Sequence, residues 1–144
     1  MTHLKSILFA ALAVGCLALT SCRDQVLQLT GSYSYKISGS AIVDGDQVSL
    51  DDETGALQVL RLSADSAVWT CNAMLGHAYV TRAAVNGKQV TLVPYERDLR
   101  VGATTYHITA SGSGTLYDET IILTLRYSGD GISANQLTML CKKN

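Results

Sequence analysis

Residues 33–43 read Tyr-Ser-Tyr-Lys-Ile-Ser-Gly-Ser-Ala-Ile-Val. Tyr33, Tyr35, Ile37, Gly39, Ala41 and Val43 share one parity, while Ser32, Ser34, Lys36, Ser38 and Ser40 share the other. Alternate side chains of an extended chain point to opposite faces, so this period of two predicts a strand with one dry and one wet face. The same grammar continues down the chain. Asp44-Gly45-Asp46 predicts a turn into a short strand carrying Val48 and Leu50, and residues 51–55 predict a second turn. Further strands are expected over 56–62, 67–74, 78–85, 88–95, 104–116, 119–128 and 136–142, with a polar loop over 96–102. Asn86-Gly87 predicts a two-residue type I′ hairpin turn, and Pro94, the only proline, predicts an edge or strand-end position.

Nine strands with tight turns describe an all-β, antiparallel up-and-down meander. It either closes, or nearly closes, into a small barrel or folds into a two-sheet β-sandwich. Gly39, Gly112 and Gly114 lie inside long strands, where glycine permits the bulges and sharp coiling that closure requires. The barrel is therefore the expected architecture.

The start of the chain has a different character. After a weakly basic opening at His3 and Lys5, residues 7–19 carry no charge. As a helix that run spans only about 20 Å, short of a hydrocarbon core about 30 Å thick, so it reads as a secretory leader. Leu19-Thr20-Ser21-Cys22 resembles the bacterial lipobox. The resemblance implies removal of residues 1–21 and a diacylglycerol on the Cys22 sulfur. Residues 22–30 then form a lipidated N-terminus with a short tether, and 31–144 a single β-barrel domain. Two or three acyl chains, at about 0.8 kcal/mol per buried CH₂, suffice for stable anchoring, so a membrane is one expected partner. No cofactor other than that acyl lipid is expected.

Of eleven basic residues only Lys5 leaves with the leader, so ten face twelve acidic ones in the remaining 123, a net charge of −2. This near-balance provides no basic face and excludes nucleic acid as an expected partner. Cys16 leaves with the leader and Cys22 is lipidated, which makes Cys71 and Cys141 a candidate disulfide in an exported chain. The alternative is two buried free thiols, and the deciding quantity is a Cα separation within about 7 Å.

No metal site is expected. His77 and His107, the histidines beyond the leader, and Met74 and Met139 do not converge in the strand pattern, and the acidic turns lack EF-hand spacing. Glu96 and Asp98 flank Arg97 in what reads as a charged exposed loop, and neither a Gly-x-Ser-x-Gly elbow nor a triad order is present. No catalytic residue is named and a non-enzyme is expected. Tyr33, Tyr35, Trp69, Tyr79, Tyr106 and Tyr127 are the candidate lining of a ligand pocket, because Tyr and Trp join an apolar body to a polar tip. The same residues also suit a filled interior, since an eight-stranded barrel is just wide enough for either arrangement.

The stretch Leu29-Thr30-Gly31-Ser32-Tyr33, the run Ser-Gly-Ser-Gly-Thr-Leu-Tyr-Asp from Ser111, and the ending Leu-Thr-Met-Leu-Cys-Lys over 137–142 carry a family likeness. The chain resembles the small lipoproteins of Bacteroidetes that carry a calycin-like (lipocalin-like) β-barrel, with Tyr33 where lipocalins tend to have tryptophan. The resemblance implies an export-anchored barrel at the outer membrane, facing the periplasm or the cell surface, and lends no single activity. The leading expectation is a binding module for a small hydrophobic or glycan ligand. The alternative is a protein-interaction module with an envelope protein partner, such as a hydrolase inhibitor or an accessory subunit of an outer-membrane complex.

Overall fold

β-Pairing runs round the molecule until it meets its own start. The computed structural model describes residues 25–50, 53–73 and 78–144; the leader, Cys22, Asp51, Asp52, Met74 and His77 lie outside these. Among the described residues a short helix, α1 (Gln25–Leu29), leads into ten strands. They are β1 (Gly31–Ser38), β2 (Ser40–Val43), β3 (Asp46–Ser49), β4 (Glu53–Arg61), β5 (Ser66–Ala73), β6 (Tyr79–Asn86), β7 (Gln89–Val101), β8 (Thr104–Tyr117), β9 (Thr120–Gly129) and β10 (Ile132–Lys143). Eight of these, in the order β1-β4-β5-β6-β7-β8-β9-β10, form an antiparallel barrel that closes where β10 returns to β1. The calycin-like barrel is thus the architecture, and the sandwich is not. Closure removes sheet edges, so every barrel strand finds backbone partners on both sides.

β2 and β3 are additions. Gly39, at φ +133°, breaks the line of the first strand, a conformation that side chains rarely adopt. The strand expected across 33–43 is therefore two, and nine strands become ten. β1 pairs with the C-terminal half of β10, whereas β2 meets its beginning, Val43 opposite Ile132. β3 folds back on β2 as a hairpin, here called the flap. Its turn, Asp44-Gly45, has both residues at positive φ (50° and 92°), the type I′ requirement. At the Asn86-Gly87 hairpin the loop residues are instead Gly87 and Lys88, with glycine alone at positive φ, which is the II′ pattern.

Two further expectations change. Residues 96–102 are mostly strand: β7 runs unbroken to Val101, with Tyr95, Arg97 and Leu99 buried and the residues between them turned outward or only partly covered. The end of the expected tether is α1, whose Val26 and Leu29 are fully buried against the barrel. Pro94 sits at a bulge in β7 between Leu92 and Tyr95, where a ladder hydrogen bond is already lost. The Thr81 hydroxyl reaches across that bulge to the Val93 carbonyl at 2.8 Å. Gly112 and Gly114 lie in mid-β8, paired with Leu125 and Leu123 of β9.

The disulfide expected between Cys71 and Cys141 is absent; both are free, buried thiols. Strand order is the reason. Cys141 on β10 and Cys71 on β5 have β1 and β4 between them. Three inter-strand steps separate the two backbones by about 14 Å along the wall, too far for a bridge.

Candidate functional site

The two ends of the barrel differ. One end carries α1 and the Gly87-Lys88 turn. There the Tyr33 hydroxyl donates to the Leu29 carbonyl at 2.7 Å, holding the helix over the barrel as a plug. Burial, then the nearby Cys141 and Glu119, push the Tyr33 phenol up to about 12. The Lys143 ammonium stands 5.8 Å from the Tyr33 ring centroid and closes the same corner. Tyr33 therefore belongs to the sealed end.

The opposite end, the mouth, lies beneath the flap. Period-two alternation brings Tyr35 from β1, Trp69 and Cys71 from β5, Tyr79 from β6, Tyr95 and Arg97 from β7 and Tyr127 from β9 into the interior of this half. Arg97 is its centre. Its side chain is 1% exposed, and Nη1 donates to Glu53 Oε1 at 2.6 Å. The guanidinium lies 5.0 Å from the Tyr79 ring centroid, and Tyr79 stacks on Tyr95 with centroids 4.5 Å apart and planes 8° apart. Burial pulls the Arg97 pKa down, but Glu53, Tyr127 and Tyr79 together more than reverse it, so the guanidinium stays charged.

This cluster is short of partners. The hydroxyls of Tyr35, Tyr79, Tyr95 and Tyr127, the Trp69 indole Nε1 and Arg97 Nε are all buried without a hydrogen-bond partner. Tyr79 lies near Cys71 and Tyr95, and the Trp69 indole near Cys71, without reaching hydrogen-bond geometry. A buried unpaired polar group costs about 1–3 kcal/mol, so six in one half of one barrel require a reason. Burial also raises the phenol pKa values of Tyr35, Tyr79, Tyr95 (to about 12) and Tyr127, which keeps all four hydroxyls protonated at neutral pH.

Above the cluster lies a recess of about 230 Å³ between the flap (Val48, Ser49, Leu50) and the β7–β8 rim (Leu99 to Gly102). Glu53 belongs to both: it lines the recess and holds Arg97 below. A half-open space whose wall joins apolar Val48, Leu50, Leu99 and Val101 to polar Ser49, Glu53 and Arg100 suits a small ligand.

Of the six aromatics singled out from the sequence, Tyr35, Trp69, Tyr79 and Tyr127 come together here. Tyr106 sits on the rim, where its hydroxyl donates to Asp44 Oδ2 of the flap turn at 2.9 Å, while the Asp44 amide donates to the Gly131 carbonyl at 2.8 Å. Three members were not foreseen: Tyr95, Arg97 and Glu53. The bulge at Pro94 flips the parity of β7, and strict alternation from Val90 and Leu92 places Tyr95 and Arg97 outside. The proline was the available signal. His107 faces outward as its parity indicates, with Nδ1 2.9 Å from Asp98 Oδ1 and Nε2 3.7 Å from Glu96 Oε2. Among the described residues no three His, Cys, Asp or Glu side chains gather as a metal site.

No protein-family profile matches the chain, and no curated protein matches it. Among solved structures, that of EF1p2_mFAP2b bound to DFHBI is similar, with a TM-score of 0.51 and 14% identity, over 84% of this chain and 98% of that one. At this identity the likeness is one of fold: the chain is an eight-stranded calycin-like barrel carrying an added flap.

Proposed function

We propose that the protein is a non-enzymatic, small-ligand-binding barrel, anchored in the cell envelope by lipid on Cys22, with the mouth as its binding site. One observation carries the binding reading: six unpartnered buried polar atoms converge beneath a recess at the mouth, while the other end is plugged by α1. A bound molecule supplies the missing hydrogen-bond partners and covers the apolar rim. A small hydrophobic or glycan ligand meets both needs. The solved barrel similar in fold has DFHBI bound, which agrees with this reading.

The anchoring part rests on the sequence 19–22, where a lipobox-like tetrapeptide follows a short apolar run. It puts the barrel at the outer membrane, facing the periplasm or the surface. Native mass spectrometry of the protein taken from its own envelope tests both parts. The expected result is an acylated chain beginning at Cys22 with a small molecule retained. An intact leader without acylation overturns the anchoring. A chain with an empty mouth that also takes up no added small molecule overturns the binding.

A further inference from the structure

The polar atoms left over in the mouth half are not a neutral mixture of donors and acceptors. Arg97 Nε and Trp69 Nε1 can only donate. The four phenols, held protonated by burial, can each donate or accept. The cluster therefore asks for acceptor atoms. Its cation, however, is already matched: Glu53 stands 2.6 Å from Arg97, with only 13% of its own side chain exposed. The pair together brings no net charge. An anionic ligand placed against it adds a buried negative charge that no second buried cation meets: Arg100, which also lines the recess, is exposed on the rim, where its Nε donates to the Gly102 carbonyl at 3.1 Å and solvent screens its charge. Above the pair, Val48, Leu50, Leu99 and Val101 supply the apolar part of the recess wall.

Resting on the binding function proposed above, we infer that the mouth selects uncharged ligands, an apolar body bearing a carbonyl or ether oxygen, and that Glu53 is the residue that sets this preference by neutralising Arg97. The apolar body lies in the recess, and its oxygen turns toward the donor cluster. Carboxylates of the same shape are refused because Glu53 occupies the place their charge requires.

Three probes of one shape separate the contributions: 2-acetylnaphthalene (a neutral acceptor), 2-naphthoate (an anionic acceptor) and naphthalene (no acceptor). Binding to the full-length protein is read by calorimetry and by the indole N–H resonance of Trp69, the only tryptophan. The ketone is expected to bind at least about tenfold tighter than either of the others and to shift the Trp69 resonance. Glu53→Gln frees the Arg97 charge and is expected to invert the order, with naphthoate ahead of the ketone. Equal or tighter binding of naphthoate by the unaltered protein overturns the inference and leaves the binding function standing. The same holds for a folded Glu53→Gln variant whose order is unchanged. If none of the three binds, the inference is overturned, while the binding function is judged by native mass spectrometry of the protein from its own envelope. Should Glu53→Gln not fold, the paired substitution Glu53→Leu with Arg97→Met removes both charges. With the phenols and the Trp69 indole still donating and no net charge gained, it is expected to keep the ketone ahead of both naphthalene and naphthoate, and naphthoate drawing level with the ketone overturns the inference.

Discussion

Tyr35 and Gly55 face each other across the β1–β4 ladder so closely that a Cβ on residue 55 would lie 2.8 Å from the Tyr35 hydroxyl oxygen. The carbonyl of Asn72 on β5 is nearer still. Glycine is what lets this aromatic ring lie flat over the wall and aim its hydroxyl into the mouth cluster. Gly55→Ala is expected to lower unfolding free energy by about 1–3 kcal/mol, the usual cost of overpacking, as read from urea denaturation. An unchanged midpoint would mean that the ring is free to lie elsewhere.

The ion pair between Arg97 and Glu53 leads to an asymmetric expectation. Arg97→Met alone leaves Glu53 largely buried beside apolar groups and is expected to cost about 3–5 kcal/mol. Glu53→Leu combined with Arg97→Met removes both charges and is expected to recover most of that loss, since apolar replacement of a whole buried pair is often close to neutral. Denaturation curves of the single and paired variants decide it.

Alkaline pH acts on the same interior. Burial raises the Cys71 thiol to about 11 and the Tyr95 phenol to about 12, from ordinary values of 9.0 and 10.0. Both groups hold their protons more tightly folded than unfolded. Their contribution is complete below the unfolded values and is lost as pH rises through 9.0 to about 11 and 10.0 to about 12. Stability is expected to be level near neutrality and to fall across that alkaline window. Phenolate absorbance of the buried tyrosines is expected to rise with the loss of fold; a gradual rise in the still-folded protein would contradict it.

Free thiols at Cys71 and Cys141 lead to a chemical expectation. Both are fully buried and raised by burial, so alkylation of the folded protein at neutral pH is slow. After unfolding without reductant, peptide mapping is expected to find both positions alkylated. A disulfide-linked pair of peptides would overturn the strand order that separates them.

On the outer wall, hydrogen bonding to the Asp98 carboxylate, with further support from its charge and from Glu96, raises the His107 pKa above 6.5 despite an opposing effect of desolvation. The folded value exceeds the unfolded one, so the pair contributes below the unfolded pKa and fades as pH rises through the folded one. Asp98→Asn is expected to lower the pKa measured by NMR titration of the His107 ring, with little change in stability because the site is exposed.

Much of this barrel was written locally. Side chains two residues apart lie on one face of a strand whatever that strand pairs with, so the alternation at Tyr33, Tyr35 and Ile37, or at Ile121, Leu123 and Leu125, foretold strands and their dry faces. Asp44-Gly45 likewise turned the chain by its own backbone preference. The site was decided at longer range. Arg97 reads as a surface charge until Glu53, 44 residues earlier, is brought within 2.6 Å of it. Tyr95 points inward only because the bulge at Pro94 shifts the pleat, and residues 25–29 hold a helix against a barrel end that must exist first to cover Val26 and Leu29. Cys71 and Cys141 are kept apart by the order of strands round the wall. Burial and charge pairing are properties of neighbours in space, and only closure of the barrel chose those neighbours.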